Sequence, residues 1–131
     1  MKNLQPYTLR YPVAGLLEIR VRPRIFFPLL VLGIVLHQRI GLIQVTREGV
    51  RIFRNPHFLP RSQIWIPRDE IAGLREEKLA TRDDEIGYLL LLVTRKLGNL
   101  ELVRIIGVED EDRQRFGQLG DEIRRALGGI G

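Results

Sequence analysis

One uninterrupted run, Ile25–Leu36 (IFFPLLVLGIVL), limits what this chain can become. Its twelve residues carry no charge and no hydrogen-bonding side chain, so water is the one environment they avoid. As a helix they would reach about 18 Å, short of the roughly 30 Å hydrocarbon core of a bilayer. Extending the run to Ile43 takes in His37, Gln38 and Arg39, which a membrane span would have to accommodate. Arg20, Arg22 and Arg24 precede the run and Arg39 follows it, so charge on the flanks gives no orientation across a membrane. Basic flanks at both ends suit a segment whose ends lie on the same side of a surface. The readings are an interfacial or shallow re-entrant element, a full span, or an element packed in protein.

The charge of the chain is divided in the same place. Residues 1–68 hold eleven Lys or Arg against Glu18 and Glu48, while residues 69–131 hold ten basic and fourteen acidic residues. A basic half that also contains the apolar run is the combination expected of a surface facing anionic headgroups. Arginines solvated on ordinary polar faces would give the same totals. The chain has no cysteine and only two histidines, His37 and His57, which excludes disulfides and thiolate chemistry and argues against a histidine metal site. No small-x-small cleavage site follows the run, so no cleavable signal peptide is expected.

Along the chain, Met1–Gly15 lacks an apolar period and reads as an extended arm, with Tyr7 and Tyr11 beside prolines. Leu17–Arg22 alternates strictly and reads as a half-exposed strand ended by Pro23. Gly41–Asn55 reads as a β-hairpin turning at Arg47-Glu48-Gly49. Gln63–Pro67 and Leu74–Leu79 read as strands, with a brief turn at Asp69–Gly73 between them. Tyr88–Thr94 is apolar throughout and reads as a central strand; Leu100–Ile106 completes a final hairpin. Glu109–Leu127 reads as a helix, with Phe116, Leu119, Ile123 and Leu127 on one stripe. Acidic residues crowd its start, Arg124 and Arg125 its end, and Gly128 stands at C′. The dipole accounts for that acidic cluster without a metal.

Two segments follow: an arm, basic strand and hydrophobic segment over residues 1–40, and a sheet domain over 41–131. From about residue 42 to 128 the second resembles a bacterial pleckstrin-homology-like (PH-like) domain. The resemblance is carried by Val45–Ile52, by Ile66–Ile71, by Leu89–Thr94 with Gly98, and by the closing helix. It implies an α+β fold: a bent antiparallel sheet, or partly open barrel, capped by one C-terminal helix. Members of the family often follow hydrophobic membrane segments introduced by a basic-Pro-basic element, to which Arg22-Pro23-Arg24 is similar. Some eukaryotic relatives bind phosphoinositides through basic residues around the first hairpin, where this chain has Arg47, Arg51 and Arg54.

No motif specifies a reaction. A phosphate-binding loop, GxSxG and HExxH are missing from the sequence, and a Ser62/His57/Asp69 triad has no supporting spacing. The expectation is therefore a non-enzymatic binding or scaffolding protein without a cofactor, held at the cytoplasmic face of a membrane as an accessory subunit of a larger complex. Arg20, Arg22, Arg24 and Arg39 would meet headgroups, and Phe26, Phe27, Leu29, Leu30 and Leu32 would enter the acyl boundary. Tyr7, Tyr11 and Trp65 are the candidates for protein contacts. The alternative is a soluble domain that self-associates and buries residues 25–36 between copies. A nucleic acid partner is not expected, because aromatics do not interleave with Arg20, Arg22 and Arg24.

Overall fold

The computed structural model describes residues 7–21, 39–55, 62–80, 86–106 and 110–129. The run Ile25–Leu36 lies outside them, as do Arg22, Arg24, His57 and the acidic residues Asp83–Glu85.

Among the described residues, two antiparallel sheets and one helix enclose a single core. The first sheet has five strands in sequence order: β1 (Tyr7–Val13), β2 (Leu16–Val21), β3 (Arg39–Thr46), β4 (Gly49–Asn55) and β5 (Gln63–Pro67). The second has three: β6 (Ile71–Ala80), β7 (Ile86–Thr94) and β8 (Asn99–Ile106). A single 3-10 turn, Arg68–Glu70, carries the chain from one sheet to the other. The two sheets do not close into a barrel. The helix α1 (Asp110–Ala126) follows β8.

The alternation of apolar residues sets which face each strand buries. Leu17 and Ile19 of β2, Ile43 and Val45 of β3, and Val50 and Ile52 of β4 are fully buried. Leu90 and Leu92 of β7 and Phe116, Leu119 and Ile123 of α1 complete the same cluster from the other side. Truncating a side chain as enclosed as Phe116 costs about 3–5 kcal/mol, which makes the helix stripe the seal of the core.

Residues 7–13 differ from the expected arm. They form a regular strand whose partners run from Tyr7 opposite Val21 to Val13 opposite Leu16, with an irregularity between Arg10 and Val13. Gly15, at φ +82°, makes the turn into β2. An edge strand tolerates Pro12 and needs only one buried side chain, here Tyr7, so apolar alternation is weak. The brief turn expected over Asp69–Gly73 is also shorter, since β6 begins at Ile71.

The corner between the sheets is fixed by backbone hydrogen bonds. Arg68 N donates to Glu48 O at 2.9 Å, and Arg95 N donates to Glu70 O at 2.9 Å. The helix ends in paired bonds, Gly129 N to Arg124 O and Gly128 N to Arg125 O, with Gly128 at φ +86°. This is the Schellman arrangement expected of a C′ glycine. Arg124 then reaches back from the last turn and donates to Leu74 O at 3.2 Å, tying the helix to β6.

Candidate interaction surfaces

The outer face of the five-stranded sheet carries one continuous cross-strand row. Arg10 stands opposite Glu18, Glu18 opposite Gln44, Gln44 opposite Arg51, and Arg51 opposite Trp65. Arg10 Nε lies 3.4 Å from Glu18 Oε1, and Gln44 Nε2 donates to Glu18 Oε2 at 3.1 Å. The Arg51 guanidinium sits 5.0 Å from the centre of the Trp65 ring. Trp65 is 42% exposed on the second edge of the sheet, so the guanidinium covers one part of its ring and leaves much of the rest open.

The next row on the same face is Thr8, Arg20, Leu42, Phe53 and Gln63. Arg20 is exposed there, at the end of β2 from which residues 22–38 depart. Those residues return into β3, and β2 and β3 are hydrogen-bonded neighbours with Arg20 directly opposite Leu42. The two strands that residues 22–38 connect are therefore neighbours in one sheet.

The other residues singled out by sequence are dispersed. Tyr7 is only 7% exposed and packs edge-on against Phe116, with ring centres 6.5 Å apart. Burial pushes its phenol up to about 12; Arg115 opposes that shift and Asp112 adds to it. Tyr11 is exposed, and its hydroxyl donates to the Glu122 carboxylate of α1. The side chain of Arg39, like Arg22, Arg24, Phe26, Phe27, Leu29, Leu30 and Leu32, is outside the described set.

The three arginines of the first hairpin do not converge on one point. Arg51 lies over Trp65, Arg54 is paired with Ile40 on the core side, and the Arg47 stem lies near Gly128. Near the corner, Glu48, Pro67, Arg68 and Asp69 line a shallow depression with both signs of charge. Ser62 takes part through its backbone, accepting a hydrogen bond from Arg54 N. Among the described residues, no three His, Cys, Asp or Glu side chains gather as metal ligands, and no helix is long and apolar enough to cross a membrane.

Comparison with family models, with curated proteins and with solved structures finds no match for this chain.

Proposed function

We propose that this chain is a PH-like binding domain that acts by self-association, with residues 25–36 in the contact between copies. The observation that carries the reading is the pairing of Arg20 with Leu42. An apolar segment tethered at both ends to adjacent strands has its entry and exit side by side, whereas a single bilayer crossing separates them by about 30 Å. An apolar segment that joins two neighbouring strands of one sheet suits an isologous contact, in which two copies bury the same residues against each other. The PH-like part of the reading is supported by the antiparallel strands, the Gly49 hairpin and the C-terminal helix. Its non-enzymatic character rests on the sequence, in which no reactive constellation is spaced for catalysis.

A membrane surface is the second reading, favoured by exposed Arg20 at the same end of the sheet, with Arg22 and Arg24 next in the chain. Each basic side chain near an anionic surface contributes about 1 kcal/mol.

The experiment is sedimentation equilibrium of the full chain in detergent-free buffer, followed by flotation with anionic phosphatidylserine vesicles. Self-association predicts a discrete oligomer whose mass falls with Leu30→Asp. A wild-type chain that stays monomeric and floats with the vesicles transfers the function to the membrane surface.

A further inference from the structure

The three-stranded sheet has a second face that the core does not use. Leu90 and Leu92 of β7 point into the core, so Leu89, Leu91 and Val93 point the other way. Leu89 and Leu91 are 9% and 8% exposed, yet neither belongs to the core cluster. The register shows what surrounds them. Leu89 lies between Glu77 on β6 and Arg104 on β8, and Leu91 lies between Arg75 on β6 and Glu101 on β8. Arg75 and Glu77 pair at 2.6 Å along one edge, and Arg104 and Glu101 pair at 2.6 Å along the other.

The four charges thus mark a rectangle around two leucines. The arginines occupy one diagonal and the glutamates the other. Such a rectangle is complementary to itself. If a second copy is laid face to face about a two-fold axis parallel to the strands, Arg75 meets the second copy's Glu101 and Glu77 meets its Arg104. If the axis runs across the strands, Arg75 meets Glu77 and Glu101 meets Arg104. Both arrangements bring opposite charges together at all four corners.

We infer that the outer face of the β6–β8 sheet is a self-recognition surface whose occupant is a second copy of this chain. Exposed ion pairs contribute little within one chain, so exchanging them for pairs between copies is nearly free of cost. The charge pattern supplies register and partner choice, as charge does at other interfaces, over a closed apolar floor. This contact goes beyond the one assigned to residues 25–36 and uses none of its residues. It is also set apart by salt: a contact made by exposed charged arms weakens as the Debye length shortens, and an apolar one does not.

The test uses two charge-reversed full-length variants. Glu77→Arg/Glu101→Arg surrounds the leucines with positive charge, and Arg75→Glu/Arg104→Glu surrounds them with negative charge. Sedimentation velocity should show that wild-type association weakens with added sodium chloride. Each variant alone should associate roughly tenfold or more weakly, and an equimolar mixture should regain association. Circular dichroism checks that both variants fold, and the salt dependence of the unaltered chain stands even if one does not. A wild-type chain that is monomeric at low salt, or salt-insensitive association, overturns the proposal, as do folded variants that associate like the wild type or fail to pair when mixed. The whole series is repeated with Leu30→Asp. Mass lost through Leu30→Asp without change in salt sensitivity reports on residues 25–36; mass lost through charge reversal reports on this face.

Discussion

Gly49 lies so close to the carbonyl oxygen of Ile66 that a β-carbon at residue 49 would collide with it. The glycine also sits at φ +150° and pairs with Pro67 across the β4–β5 ladder. The hairpin turn and the neighbouring edge strand are thereby locked together through the absence of one side chain.

Gly49→Ala should therefore destabilise the fold by about 2–3 kcal/mol, combining backbone strain with displacement of β5. Urea unfolding followed by far-ultraviolet circular dichroism measures this. A midpoint unchanged from wild type would show that β5 is free to move aside.

Thr94 is a buried polar residue that closes the β7–β8 turn with two hydrogen bonds. Its Oγ1 donates to Gly98 O at 2.7 Å and accepts from Leu97 N at 3.0 Å. Thr94→Val keeps the shape and removes both, at a cost of about 1–2 kcal/mol. Thr94→Ser should recover part of the loss. Thermal unfolding of the three proteins side by side decides it.

Tyr7 gives the fold a dependence on alkaline pH. Its phenol is neutral when protonated, and burial raises its pKa from 10.0 to about 12. The folded state therefore holds the proton more tightly than the unfolded state. Its contribution is complete below pH 10 and is lost as pH rises through 12. Because the group is near the sheet edge, about 1–2 kcal/mol is at stake. Tyr7→Phe should flatten the stability profile between pH 10 and 12. An equally steep fall in the variant would assign the effect to other groups.

Trp65 is the only tryptophan, so its fluorescence reports on one place. Removing its cation partner with Arg51→Ala should raise the acrylamide quenching constant and lower stability by less than about 1 kcal/mol. If quenching does not change, the guanidinium is not shielding the ring in solution.

The parts of the fold that were legible in sequence share a physical reason. The hairpin from Gly41 to Asn55 and the helix stripe of Phe116, Leu119 and Ile123 each bury one face, so their periods are written into apolar positions. β1 was hidden because it has one buried residue, and because Pro12 looks like an interruption unless the strand is known to lie at an edge. β7 looked uniformly apolar, and its two faces became distinct only through register. The cross-strand rows were illegible for a further reason. Irregularities between Arg10 and Val13, Ile40 and Leu42, and Leu90 and Leu91 shift alignment in ways that spacing along one strand does not reveal. Arg51 and Trp65 are fourteen positions apart in sequence and meet only through the ladder.

The junction at Arg20 and Leu42 also bears on how such a chain can change over generations. Because β2 and β3 are already neighbours, residues 22–38 occupy a place where a tight turn would satisfy the ladder equally well. Closing a longer connection costs only slowly more entropy as it grows. The connection can then lengthen, shorten or be exchanged while the strands on either side keep their alignment. A contact made through that segment, as proposed above, would then be inherited as a detachable module, on a scaffold that does not have to be reinvented when the partner changes.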